Sequence, residues 1–161
     1  MKRLLLCAGP RNGPYSTDRW FRVDCDPRVE PDLVARVPPI PQELKDHGEW
    51  DTIALIHGIE HFAVWDVRRL LAELCPLLKV GGTLILEQPN IAVCSAHLDN
   101  PVYYNGIYGD PVGDRDDMLH KSGHTPESLA AEVVRAGFRD PVTGAPLFHH
   151  PERDFRLVAT R

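Results

Sequence analysis

Short apolar runs alternate along the chain with polar stretches rich in glycine and proline. The segment Asp51–Ile56 is a continuous apolar run with an acidic residue at its start, which is typical of a strand buried on both faces of a sheet. The predicted strands cover Arg3–Leu6, Trp20–Asp24, Leu33–Val37, Asp51–Ile56 and Thr83–Glu87, with a closing hairpin near Pro141–Leu147 and over Phe155–Thr160. Because strands alternate with helical patterns, the sequence predicts an α/β fold with a mostly parallel sheet and an antiparallel C-terminal hairpin.

Two segments carry clear helical patterns. Apolar residues recur every three or four positions from Val67 to Leu78, which predicts one amphipathic helix. Gly81-Gly82 is expected to end it. A second helix is predicted to begin after Thr125, a good N-cap, and to run to Gly137.

Two connections depart from a regular alternation of strands and helices. Residues 91–124 show no sustained periodicity, and they are predicted to form an irregular lid over a binding site. About thirteen residues separate the first two strands, and they include Gly9, Pro10, Gly13 and Pro14. The first helix is therefore expected to be short or absent.

Length and charge limit the classes of protein to consider. The 161 residues suffice for one domain, 1–161, and the net charge of −5 disfavours binding to a nucleic-acid backbone. No apolar run is long enough to span a membrane, and the apolar stretch at the N-terminus is too short for a signal peptide.

The four cysteines have no zinc or redox spacing. Cys7, Cys25, Cys75 and Cys94 are interpreted as reduced thiols of a cytoplasmic protein. Cys7 and Cys25 follow adjacent predicted strands, and a redox pair between them remains an open alternative.

A buried strand, a glycine-bearing turn and an acidic strand tip follow one another at the start of the chain. The first strand runs into Cys7-Ala8-Gly9-Pro10, and the second ends in Asp24. This order describes one half of a nucleotide-binding sheet, in which an acidic side chain accepts ribose hydroxyls. A nicotinamide dehydrogenase needs a Gly-x-Gly-x-x-Gly turn, which this segment lacks.

Taken in order, these segments resemble the class I S-adenosylmethionine-dependent methyltransferases of the small type 11 branch. The matching segments are Leu6 to Arg11, Val23 to Pro27, His57 to His61, Leu78 to Gly82, His120 to Pro126 and Ala136 to Phe138. The likeness spans nearly the whole chain. It implies a Rossmann-like methyltransferase sheet of seven strands in the order 3-2-1-4-5-7-6, with S-adenosylmethionine at the carboxyl ends of strands one, two and four.

The resemblance also implies which positions hold the cofactor. They are Cys7, Ala8, Gly9, Pro10, Asp24, Cys25, Arg36, His57 and Gly58. Asp24 would accept the ribose hydroxyls, and His57-Gly58 would border the sulfonium. Cys7 departs from the family pattern because it replaces a glycine, which is costly if its φ is positive. Arg36 replaces an acid that accepts the adenine amino group, and an arginine can only donate or stack there.

Three histidines are the candidate catalytic residues. Methyl transfer to an oxygen or nitrogen acceptor benefits from a base with a pKa near neutrality, and His57, His61 and His120 follow strand four or end the lid. For His61 the alternative is capping of a helix or bonding to a backbone carbonyl, and for His120 it is ordinary loop hydrogen bonding. His149-His150 is expected to be exposed beside the hairpin turn.

No metal site is predicted. Asp110, Asp114, Asp116, Asp117 and His120 are rich in donor atoms, but their spacing matches no known loop and indicates a solvated acidic lid. Tyr103, Tyr104 and Tyr108 suit either an aromatic acceptor wall or packing of the lid.

The predicted function is methyl transfer to a small or medium-sized acceptor, with no nucleic-acid or membrane partner. The alternative is a non-catalytic binding module whose cofactor cleft is blocked by Cys7 and Arg36. A homodimer is also considered, because a missing first helix would expose one sheet face.

Overall fold

A seven-stranded sheet organises the chain, and its order is β3-β2-β1-β4-β5-β7-β6. The computed structural model describes residues 1–11, 15, 17–110 and 116–161. The strands are β1 Arg3–Leu6, β2 Phe21–Asp24, β3 Leu33–Val34, β4 Trp50–Ile56, β5 Leu78–Pro89, β6 Arg139–Gly144 and β7 Asp154–Thr160. All pairs are parallel except those of β7 with β5 and β6. The predicted α/β class, strand order and antiparallel hairpin are confirmed.

The larger core lies between one face of this sheet and three helices. Side chains alternate along β1, so Leu4 and Leu6 enter this core while Leu5 faces the opposite side. The helices are α1 Gln42–Asp46, α2 Val64–Leu74 and α5 Pro126–Arg135, and their apolar faces supply the rest of the core. None of the helices in the described part of the chain is long and apolar enough to cross a membrane.

The connection between β1 and β2 covers the opposite face with two aromatic rings. Tyr15 and Trp20 are buried and meet edge to face at 5.6 Å, packed with Leu5, Ala54 and Ile85. No helix occurs among the residues described in this connection, as the sequence predicted. Gly13 and Pro14, on which that prediction partly rested, lie outside the described residues.

The prediction that the first of the two helical patterns runs from Val67 to Leu78 is wrong at its end. Helix α2 ends at Leu74 and a 3₁₀ turn follows over Cys75–Leu77. Pro76 explains the difference, because a proline has no N–H to donate within a helix. Leu78 already belongs to β5, and Gly81-Gly82 lies inside that strand.

The prediction of an irregular segment over 91–124 is also wrong in part. It contains α3, Ile91–Ser95, and α4, Pro101–Tyr108. Asn90 and Asn100 cap these helices by accepting N–H groups two residues later, at 3.1 and 3.0 Å. Helices of five and eight residues are too short to show a repeating apolar pattern.

Candidate active site

A cavity of about 870 Å³ opens at the carboxyl ends of β1, β2 and β4. Its walls come from the turns after these strands, the start of α4, residues 117–121 and the hairpin residues 148–153. Cavities of this size hold drug-sized ligands. Eight of the nine predicted cofactor-binding positions lie on the walls, and the ninth, Gly58, is buried against Cys7.

The turn after β1 is fastened to the tip of β2. Ala8 N–H donates to the Val23 carbonyl at 3.1 Å, and Gly9 N–H donates to Oδ2 of Asp24 at 2.9 Å. The other carboxylate oxygen, Oδ1, accepts the Asp26 N–H at 2.9 Å. A carboxylate offers about four lone-pair sites, so Asp24 keeps acceptor capacity for hydroxyl groups of a ligand in the cavity.

Cys7 adopts the conformation that the sequence flagged as costly. Its φ is +51°, and a residue with a Cβ loses roughly 1–2 kcal/mol in this left-handed region. Its side chain fills the space beside Gly58, where an added Cβ would lie only 2.7 Å from the Cys7 Cβ. Burial, followed by the charge of Asp24, raises the pKa of both Cys7 and Cys25, and all four cysteines are free thiols. The thiolate forms that a redox pair needs are therefore disfavoured.

Arg22 braces the same turn, and sequence reasoning missed it. Its side chain is fully buried, and its guanidinium donates to the carbonyls of Gly9 at 2.6 Å and Glu30 at 3.0 Å. The turns after β1 and β2 are thus held by one cation. An arginine inside a short strand gave no signal of this role, because it suits a solvent-facing position equally well. Arg36 is exposed on the cavity wall beyond β3.

His57 is held between two buried carboxylates. Its Nδ1 lies 3.2 Å from Glu60 Oε1, and its Nε2 lies 3.0 Å from Asp154 Oδ2. Burial alone lowers the pKa of His57, but the two carboxylates outweigh it and raise the pKa to about 9. At neutral pH the ring is therefore an imidazolium with both nitrogens protonated, which cannot accept a proton from a substrate.

The ion pairs continue from His57 towards α4. Arg153 Nε lies 2.5 Å from Asp154 Oδ1, and Arg153 Nη1 donates to the Val102 carbonyl at 2.8 Å. We call Glu60, His57, Asp154 and Arg153 the charge chain. It contains two cations and two anions, so its members neutralise one another away from water.

His61 and His120 lie side by side with their ring centroids 5.0 Å apart. Their Nδ1 atoms lie 3.2 Å from the Leu119 carbonyl and 3.0 Å from the Gly106 carbonyl, respectively. In a neutral imidazole the nitrogen facing a carbonyl carries the proton, so each Nε2 is left with a free lone pair. Burial lowers the pKa of His120, which keeps that ring neutral. Both histidines thus bond to backbone carbonyls, as the alternative interpretation of the sequence expected, and each still keeps one free ring nitrogen.

Backbone contacts explain why these distant residues meet. The Glu60 carbonyl accepts the N–H groups of Lys121 and Ser122, at 2.8 and 3.1 Å. His120 is therefore fixed beside the turn that carries His61. The Glu60 side chain is buried, and within the described part of the chain neither of its oxygens accepts a hydrogen bond.

The hairpin before β7 contributes a wall that the sequence did not predict. Glu87 is buried and accepts the Phe148 N–H at 3.2 Å and the Tyr15 hydroxyl at 2.9 Å. His149 is exposed as predicted, yet its ring packs against the His57 ring at a tilted angle, with 4.1 Å between the ring centroids, and it lines the cavity. Burial and then the His57 charge lower the pKa of His149 to about 4.

The remaining candidates divide between the cavity and the surface. Asp110 and Asp117 line the cavity, Asp116 is exposed, and Asp114 lies outside the described residues. The rings of Tyr104 and Tyr108 pack against each other at a tilted angle, with their centroids 4.6 Å apart, and both side chains are about half exposed. The residues that α4 presents to the cavity are instead Pro101, Val102 and Asn105.

Solved structures share this fold. A SAM-dependent methyltransferase from Archaeoglobus fulgidus is 15% identical, with a TM-score of 0.63 over 99% of this chain and 86% of its own. An S-adenosylmethionine-dependent methyltransferase from Clostridium acetobutylicum is 11% identical, with a TM-score of 0.65 over 99% and 83%. The N-methyltransferase NodS from Bradyrhizobium japonicum, in complex with S-adenosyl-L-homocysteine, is 12% identical, with a TM-score of 0.61 over 99% and 76%.

No protein-family model and no curated protein matches the sequence. The chain has the class I methyltransferase fold, as its ordered motifs predicted. The narrower likeness to the type 11 branch stays a prediction.

Proposed function

We propose that this chain, built on the class I methyltransferase fold, transfers a methyl group from S-adenosylmethionine to an oxygen or nitrogen atom of a small or medium-sized acceptor. The observation that carries the proposal is the bond between Gly9 and Asp24 at the mouth of the cavity. It joins a turn open to close backbone approach with a carboxylate that retains lone pairs for two ribose hydroxyls.

The cofactor-binding residues follow from this placement. Cys7 to Pro10 would face the amino-acid end, Asp24 the ribose, and Arg36 would stack on the adenine. His57 would border the sulfonium as a positioning residue, because the charge chain holds its ring. When bound, the cofactor supplies an electrophilic methyl group, so the protein must mainly align the acceptor and receive a proton.

The acceptor would lie beside His61 and His120, the two histidines with a free Nε2 in the cavity wall. His120 suits proton transfer better than His57, because its lowered pKa leaves the lone pair available at neutral pH.

Calorimetric titration with S-adenosylhomocysteine tests cofactor binding. Asp24→Ala should weaken binding by about 1–3 kcal/mol, roughly 5- to 150-fold, through loss of the ribose contact. Asp99→Ala removes an exposed carboxylate outside the cavity and should leave the affinity unchanged. Absence of heat from the unmodified protein at millimolar ligand would overturn the proposal.

A non-catalytic module is the second candidate, favoured by the strained Cys7 and by Arg36 on the cofactor path. It predicts that the unmodified protein fails to bind while a Cys7→Gly/Arg36→Glu variant binds. The open cavity argues for the enzyme instead. A cytoplasmic location fits the free thiols, and a homodimer remains a proposal for sedimentation analysis.

A further inference from the structure

We propose that Glu60, His61 and His120 bind one divalent first-row transition-metal ion in the cavity wall. The site departs from the sequence-based expectation of no metal, and it uses a different set of residues from the acidic segment considered there. Only the chemical role of the ion rests on the proposed methyltransferase function; the binding itself does not.

The three side chains already converge. One ligand atom from each lies within 4.8 Å of the others, and His120 Nε2 is 4.0 Å from Glu60 Oε1. An ion with ligand distances of about 2.0–2.2 Å holds neighbouring ligand atoms roughly 3–4 Å apart. Side-chain movements of about 1 Å would therefore close the site around an ion.

Both imidazoles are oriented as metal ligands are. A ligating histidine usually donates its second ring N–H to a carbonyl or carboxylate, which fixes the ring and leaves the other nitrogen for the metal. His61 and His120 each place Nδ1 against a backbone carbonyl, at 3.2 and 3.0 Å. Their Nε2 atoms are thereby presented to the cavity.

Glu60 supplies the independent observation that points to a ligand. Its side chain is 2% exposed, and in the described residues neither oxygen accepts a hydrogen bond. Oε1 faces His57 in an ion pair at 3.2 Å, which leaves Oε2 unpaired. A buried, unpaired carboxylate oxygen is unfavourable, and a bound cation would satisfy it while His57 supports the carboxylate from behind.

Two nitrogen ligands and one oxygen ligand would leave coordination positions of the ion open for water or substrate. This donor set suits zinc, manganese, iron or cobalt better than magnesium or calcium, which prefer oxygen ligands. An acceptor hydroxyl bound to the ion would lose its proton to water more readily. Its oxygen would then attack the sulfonium methyl carbon, forming an O–C bond as the C–S bond breaks and S-adenosylhomocysteine leaves. An ion at this position would therefore favour a hydroxyl-bearing acceptor over an amine.

Titration of chelator-treated protein with Co²⁺, followed by visible absorption and calorimetry, tests the site. We expect one Co²⁺ per chain, bound at least tenfold more weakly by His61→Gln and by Glu60→Gln. His97→Gln removes a histidine that packs on Tyr103 outside this cluster, and it should bind like the unmodified protein. His61 is only partly buried, so its variant should stay folded, which circular dichroism checks.

Failure to bind Co²⁺, or equal binding by His61→Gln and the unmodified protein, would overturn the metal site. A parallel titration with S-adenosylhomocysteine separates the two proposals. Cofactor binding without metal binding would leave methyl transfer standing with a histidine base. Metal binding without cofactor binding would overturn the methyltransferase proposal and retain the metal site.

Discussion

Replacing Gly58 by alanine should destabilise the fold through one contact, with Cys7. An added Cβ would lie 2.7 Å from the Cys7 Cβ and 3.2 Å from its Sγ. The φ and ψ of Gly58 are −132° and −33°, so alanine would not have to enter the left-handed region, and any other backbone cost is the same with cysteine and with glycine at position 7. Overpacking of this kind costs about 1–3 kcal/mol.

Cys7→Gly removes the obstacle and should recover most of that loss. By itself it relieves left-handed strain of about 1–2 kcal/mol, but glycine adds unfolded-state entropy worth about 0.5–1 kcal/mol and packing is lost. We therefore expect it to remain within about 1 kcal/mol of the unmodified protein. Alanine at position 58 should be tolerated in this background, giving a coupling energy of about 1–2 kcal/mol.

Urea unfolding of the four proteins, followed by circular dichroism, measures the cycle. Gly144→Ala serves as the control, because its added Cβ would have no heavy atom within 4 Å and its φ is not positive. If Gly58→Ala costs the same with Cys7 and with glycine at position 7, the steric reasoning is refuted.

Two further predictions concern the charge chain and α5. In metal-free protein, a His57 pKa raised from 6.5 to about 9 stabilises the fold below pH 6.5, and this contribution is lost as the pH rises through 9. The reference is a His57→Gln/Glu60→Gln variant, in which the charge chain stays neutral. Relative to this variant, the free energy of unfolding of the unmodified protein should fall by about 3 kcal/mol from about pH 6 to pH 10. Parallel pH curves for the two proteins would contradict the prediction. Thr125→Ala should cost about 0.5–2 kcal/mol in urea unfolding, because Thr125 and Ser128 cap each other's backbone N–H groups, while Thr125→Ser should cost less.

The strand plan was predictable because the strands carry their own signal. Uninterrupted apolar runs marked β1 and β4 to within one residue, and Thr125-Pro126 marked the start of α5. The short helices α3 and α4 were not predicted, because their starts are marked by the caps Asn90 and Asn100 and they are too short to show apolar periodicity. The end of α2 was predicted too far along the chain because the effect of Pro76 was overlooked.

The sequence predicted which strand ends form the site, but it did not predict which side chains of the site contact one another. The acid at the tip of β2 identified Asp24, and the turns after parallel strands must share one edge of the sheet. The partners of His57 include Asp154, 97 positions away, and nothing local indicates such a contact. The lid prediction placed His120 over the site, but nothing local indicated that the residues after it, Lys121 and Ser122, bond to the Glu60 carbonyl.

The neutrality of the charge chain has an evolutionary consequence. Because Glu60, His57, Asp154 and Arg153 balance one another in the interior, replacing one of them alone leaves an uncompensated buried charge. Lineages descended from this sequence should therefore change these positions in pairs of opposite sign, or preserve all four. Substitutions at these positions should therefore show epistasis, although the residues of the ion-pair network lie far apart in the sequence.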